Sequence, residues 1–169
     1  MSYFKELSLA MTWLGKQPDT IFLGQQVEYP GNSLFNTLKD VPMEKRTELP
    51  VAEEMQLGMS IGLSLAGKVP VSIYPRMNFL MCAMNQLVNH LDKMEVYSNG
   101  QFKPKVIIRV CVGRTAPMYP GVQHCGEYPL ILENIRIIRL KEEWNILPFY
   151  QEAYESELSS VMIEYGDLM

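Results

Sequence analysis

Val106-Ile107-Ile108-Arg109-Val110 is a run of β-branched residues broken by a single charge. A strand with one wet face would alternate apolar and polar residues; this one does not, and it reads as a strand buried on both faces. Strands of that kind belong to parallel sheets covered by helices. Four more runs share the character: Thr20-Ile21-Phe22-Leu23, Val69-Pro70-Val71-Ser72-Ile73, Ile135-Arg136-Ile137-Ile138 and Val161-Met162-Ile163. Between them lie stretches with helical spacing. Phe4, Leu7, Ala10, Met11 and Leu14 form one stripe. Met77, Leu80, Met81, Met84, Leu87, Val88 and Leu91 form another, long enough for four or five turns. Pro148 to Leu158 makes a third helix, and Pro50 opens a fourth that runs to Ala66, since proline suits a first helical turn.

Strands separated by helices imply parallel pairing with right-handed crossovers. The predicted fold is therefore α/β: a single open, mostly parallel twisted sheet with helices on both faces, residues 1–169 forming one domain. In such sheets ligands sit at the carboxyl ends of the strands. Residues 113–128, rich in glycine and proline and without periodicity, follow the strand ending at Val110. A loop of that length at that edge points to function.

Composition agrees with one globular domain: 169 residues, 47% apolar and 20% charged, enough to bury roughly 70% of the unfolded surface. Fifteen basic against nineteen acidic residues give a net charge of −4, which disfavours nucleic acid as the main partner, because phosphate binding needs a basic face. Three widely spaced cysteines, Cys82, Cys111 and Cys125, make neither a disulfide framework nor a zinc site, and fit a reducing, cytoplasmic setting. The opening residues mix Lys5 and Glu6 into apolar neighbours and do not read as a secretory signal. The longest uncharged apolar stretch, residues 55–67, is short of the roughly 20 needed to span a bilayer, so no membrane partner is expected.

Few residues carry candidate chemistry. Glu53 and Glu54 stand in the first turn of the expected fourth helix, where acids complement the helix dipole whether or not they also react. Gly58, Gly62 and Gly67 cost about 1 kcal/mol each where they are truly mid-helix, which signals close approach of a neighbouring backbone, a ligand or another subunit. Of the two histidines, His90 reads as a surface or interface imidazole. His124, in the loop at the ligand edge, is the better acid/base or oxyanion partner. Cys125 beside it is a poor nucleophile candidate, since sequence adjacency does not juxtapose side chains. No glycine-rich phosphate loop is present.

The ordered set Leu49-Pro50-Val51-Ala52-Glu53, the spaced glycines ending at Gly67, Asn78-Phe79, Asn85-Gln86-Leu87-Val88-Asn89, Lys93, Ser98-Asn99-Gly100, Ile107-Ile108-Arg109 and Gln123-His124 resembles a known pattern. It is similar to the pyrimidine-binding domain of the beta subunit of thiamine diphosphate-dependent 2-oxo-acid dehydrogenases, in the transketolase superfamily. The resemblance covers nearly the whole chain and implies the thiamine diphosphate-binding fold of pyrimidine-domain type. It implies that Glu53 is catalytic and binds the cofactor, sharing a proton with the aminopyrimidine ring and so promoting ylid formation. Phe79 would stack on the pyrimidine, Met77 and Tyr74 would be further cofactor contacts, and Arg109 would lie nearby. His124 would assist proton or acyl transfer.

Departures from the pattern are also informative. Cys125-Gly126 follow the loop histidine where Ser-Gln is usual, and Pro75-Arg76 stand where smaller or apolar residues are common. The family's second domain would begin near Met169, and the GDG…N motif that holds Mg2+ and diphosphate is missing. The resemblance therefore implies a diphosphate-domain (alpha-type) partner subunit that holds Mg2+, an oligomeric assembly, and a 2-oxo acid or ketose as the small-molecule substrate. Two rivals stand beside it: a non-catalytic assembly or regulatory subunit that keeps the fold, and an unrelated doubly wound ligand-binding domain.

Overall fold

The computed structural model describes residues 2–31 and 33–169. The elements that matter run in the order α1 (Tyr3–Gly15), β1 (Thr20–Gly24), β2 (Arg46–Glu48), α2 (Glu53–Leu65), β3 (Val69–Tyr74), β4 (Ile107–Val112), β5 (Arg136–Arg139), α3 (Ile146–Glu155) and β6 (Ser160–Tyr165). The six strands form one sheet in the order β2-β1-β3-β4-β6-β5. Every neighbouring pair is parallel, with Val71 opposite Ile107 and Ile108 opposite Val161.

All residues of β3 and β4 are buried, because successive side chains supply opposite layers. Ile107 and Cys111 join Leu7, Met11, Leu14 and Tyr150 in the core beneath α1 and α3. Ile108 and Val110 join Leu57, Ile61, Leu80 and Leu87 under α2. Each fully buried aliphatic side chain of this kind contributes about 1.5–3 kcal/mol. The doubly buried reading of Val106 to Val110 is thus realised by helices on both faces. Among the described residues no helix is long and apolar enough to cross a membrane.

Three local expectations are corrected. The fourth helix begins at Glu53, not Pro50. The Leu49 amide still donates to the Gly24 carbonyl at 2.8 Å, so the chain stays tied to β1 until after Leu49, and Pro50 and Val51 lie exposed in the connection. β2 carries no apolar run and was not expected; it is a three-residue edge strand held by β1.

The long helix expected over residues 77–95 is broken into an α turn (Met77–Leu80), a 3-10 turn (Met81–Ala83), a π turn (Gln86–Leu91) and a last α turn (Met94–Tyr97). Its buried positions are Met77, Leu80, Ala83, Leu87 and Leu91, spaced by three residues and then by four. Tighter and then wider turns keep that uneven stripe on the core. The widened end also delivers Asp92, 1% exposed, to accept the Glu133 and Asn134 amides at 3.0 and 2.8 Å.

Candidate functional site

The carboxyl ends of β1, β3 and β4 open onto one edge, and the polar residues there are set by short local devices. Gly24 ends β1 with φ 148°, and a β-carbon on it would meet the Ile73 carbonyl oxygen at 2.2 Å. This close approach of β1 to β3 sends Gln25 and Gln26 out at the edge. Past β4, the Gly113 amide donates to the His124 carbonyl at 2.8 Å, folding the long loop back so that His124 returns to the sheet. A short helix, Val122–Cys125, carries it.

Phe79 and His124 meet edge to face, their ring centroids 5.5 Å apart at 73°. His124 Nδ1 lies 3.0 Å from Asn78 Oδ1. An amide oxygen only accepts, so Nδ1 donates and a neutral ring presents its lone pair at Nε2. Both rings line a cleft of about 520 Å3, with Gln25, Arg76 and Pro120 among the other walls.

Glu53 lines the adjoining cleft, about 780 Å3, together with Met55, Gly58, Met59 and Gln86. It is 9% exposed, and its Oε1 accepts a hydrogen bond of 3.1 Å from Gln25 Nε2. Gln25 thereby joins the two clefts. Fully buried Gln56 fixes this end of α2 by donating to Ser72 Oγ at 3.1 Å and to the Ile73 carbonyl at 3.0 Å. Glu54 turns the other way, accepting from Asn85 and Gln86 at 2.6 and 3.3 Å, and clamps α2 to the broken helix.

The structure thus brings Phe79 and His124 into one cleft and sets Glu53 in the next, one glutamine away. Two expected contacts are corrected. Tyr74 and Met77 are both fully buried, so neither can touch a bound cofactor. The Tyr74 hydroxyl donates to the Glu53 carbonyl at 3.4 Å, and burial pushes its pKa up, so it remains a neutral prop behind the glutamate. Met77 is core beneath Phe79.

Arg109 is not near the clefts either. It points into the α1/α3 layer, is fully buried, and pairs with Glu164 through Nε–Oε1 of 2.6 Å and Nη2–Oε2 of 3.0 Å. Burial disfavours its charge, and the Glu164 carboxylate more than offsets this, raising its pKa. Cys111 is buried, and burial pushes its thiol up to about 12, so it is no nucleophile.

Sequence reading missed Gln25. A polar pair immediately after a strand-ending glycine at the carboxyl edge was the available signal. Gly58 and Gly62 find no close backbone within the chain: a β-carbon on Gly58 would first meet Gln86 at 3.7 Å, and one on Gly62 would meet nothing within 4 Å. Among the described residues no group of three or more His, Cys, Asp or Glu could hold a metal ion.

No protein-family model matches the chain. Over 156 residues, 89% of its length, it is 26% identical to pyruvate dehydrogenase E1 component subunit beta-4, chloroplastic, of Oryza sativa subsp. japonica, covering 38% of that protein. Over 100 residues, 57% of its length, it is 30% identical to pyruvate dehydrogenase E1 component subunit beta of Cyanidium caldarium, covering 30% of it. The chain spans about a third of the length of these curated relatives. Among solved structures, a split gene transketolase, an inactive beta4 tetramer, matches with a TM-score of 0.74 and 19% identity, over 98% of this chain and 51% of that one, a likeness of fold. On sequence, this chain is similar to pyruvate dehydrogenase E1 beta subunits over most of its length, and its α/β sheet has the fold of the split gene transketolase.

Proposed function

We propose that the chain supplies the pyrimidine-binding half of a thiamine diphosphate site, completed by a separate alpha-type subunit, in an enzyme that decarboxylates a 2-oxo acid. The observation that carries this reading is the state of Glu53. Its carboxyl group is nearly buried, one oxygen is held by Gln25, and Oε2 has no hydrogen-bond partner among the described residues. Glu53 borders an open cleft, and a carboxylate oxygen left without a partner fits a ring nitrogen that can share a proton.

When bound, thiamine diphosphate supplies a carbon nucleophile and an electron sink for the bond next to a carbonyl. This chain's residues do the rest of the work assigned to it. Glu53 holds or passes a proton at Oε2 while Gln25 fixes the carboxyl plane. Phe79 offers a ring face in the adjacent cleft, and His124, oriented by Asn78, handles a proton at Nε2. Magnesium does not fit the residues here, since no metal-ligand cluster exists among the described residues, and no glycine-rich loop is present to cradle a diphosphate. Both fall to the partner.

The open face of α2 fits an interface in the same assembly. Met55 and Met59 are 42% and 40% exposed beside unobstructed Gly62. The three cysteines are free, which suits a reducing compartment such as the cytoplasm.

Calorimetry tests the reading. The chain alone should bind thiamine diphosphate and Mg2+ weakly and should bind tightly once mixed with its partner. Glu53→Gln should keep the fold and lose turnover in the assembled enzyme. Full turnover by Glu53→Gln, or tight magnesium-dependent binding by the chain alone, would overturn it.

A further inference from the structure

Arg76 stands between the end of β3 and Met77, half-buried, where the family resemblance leads one to expect a small or apolar residue. Its Nη1 donates to the carbonyl of neighbouring Pro75 at 2.7 Å. The ion pairs among the described residues use Lys93, Lys103, Arg109, Arg136 and Arg139, not Arg76. The acid lining the same cleft, Glu48, is already engaged: its oxygens accept the Gln26, Val27 and Glu28 amides at 2.6, 2.7 and 3.0 Å. A half-buried guanidinium thus lines a cleft without an ion-pair partner among the described residues.

Its surroundings are shaped for a small ligand. Arg76 lies against Gly113, where a β-carbon would come within 3.2 Å of its Nε and 2.5 Å of the His124 carbonyl oxygen. A side chain at Gly113 would therefore displace both the guanidinium and the histidine. Arg76 also lines a second cavity of about 240 Å3, which shares Gly31 and Pro120 with the Phe79–His124 cleft. Arg114 lines that second cavity too, with Nη2 donating to the main-chain oxygen of Met169 at 3.2 Å, and among the described residues no acidic side chain lines it. Two arginines line one small cavity, and one of them, Arg76, also lines the cleft that holds His124.

We propose that Arg76, backed by Arg114, is the anchor for the negatively charged group of the substrate, carboxylate or phosphoryl, and holds that molecule in the cleft beside His124. The geometry favours a compact anion, since a planar guanidinium binds carboxylate or phosphate oxygens through two parallel hydrogen bonds. The assignment rests on the Phe79–His124 cleft being the substrate side of the site. It does not depend on the cofactor.

The test uses the full chain without cofactor, at fixed ionic strength, titrated separately with pyruvate and with ribose 5-phosphate and followed by the NMR shifts of the His124 ring. One probe should bind in the millimolar range or better and move His124, and that probe names the anion. Arg76→Gln should weaken its binding at least tenfold, Arg76→Lys less, and Arg114→Gln measurably. Arg139→Gln, a cation engaged elsewhere by Glu127 at 2.6 Å, should bind as the wild type does. Silence of His124 toward both probes, or unchanged binding by a folded Arg76→Gln, overturns the proposal. Glu53→Gln should keep the same anion binding, so failure of the cofactor reading leaves this result standing, and failure here leaves that reading standing.

Discussion

Removing the Glu164 carboxylate is the perturbation whose cost the structure specifies best. Arg109 and Glu164 are both fully buried. Glu164 accepts three hydrogen bonds: from Arg109 Nε at 2.6 Å, from Arg109 Nη2 at 3.0 Å and from the Tyr150 hydroxyl at 2.6 Å. Burial, helped by the Glu164 charge, keeps that hydroxyl protonated and able to donate. Arg109 Nη1 already lacks a partner, so the guanidinium has no spare acceptor to turn to. Glu164→Ala would strand a cation in the core, which costs about 3–5 kcal/mol. That is a large share of the roughly 5–15 kcal/mol by which a domain is stable.

In urea, with a slope of about 2 kcal/mol/M, a loss of about 4 kcal/mol lowers the unfolding midpoint by about 2 M. Because the folded-state pKa of Arg109 is raised above its unfolded value, its contribution is fully present at every pH below the ordinary arginine range and should be constant across neutral pH. The double variant Arg109→Met/Glu164→Leu should recover most of the loss, since a well-packed apolar pair can replace a buried ion pair. A Glu164→Ala midpoint within about 0.5 M of wild type at unchanged slope would refute this account and reopen a site role for Arg109.

Three further outcomes are expected. In the assembled enzyme His124→Ala should leave cofactor affinity unchanged and lower kcat about 100-fold, in the usual range for losing a general acid or base; lost cofactor binding by a folded variant would contradict the assignment. Burial works against ionisation of Glu127, but hydrogen bonds from Arg139 and Tyr165 hold its carboxyl below the ordinary carboxylate range. A depressed carboxyl contributes stability above its unfolded value and loses it as pH falls through the folded one. Glu127→Gln should therefore cost under about 1 kcal/mol at pH 7, given its exposure, and nothing once the pH has fallen through the folded value, as paired thermal melts would show. Met59→Asp should reduce the oligomer to a smaller species by light scattering while the circular dichroism stays native; an unchanged mass would remove α2 from the interface.

The parallel sheet and its two layers were legible in the residues alone. A run such as Val106 to Val110 has no polar alternation, and a strand of that kind can be satisfied only with helices on both faces. The sequence also carried Glu53, Phe79 and His124 by their order along the chain, and the loop that places His124 at the ligand edge. Which polar side chains are partnered emerges only in the folded chain. Arg109 and Arg76 look alike in sequence, each an arginine beside apolar residues. Glu164, 55 positions away, converts the first into core, while the acid beside the second is consumed by backbone amides of the β1 edge. Likewise Tyr74 and Met77 sit within reach of the site by position yet face inward. Pairing and facing are set by contacts between distant segments, which local pattern does not encode.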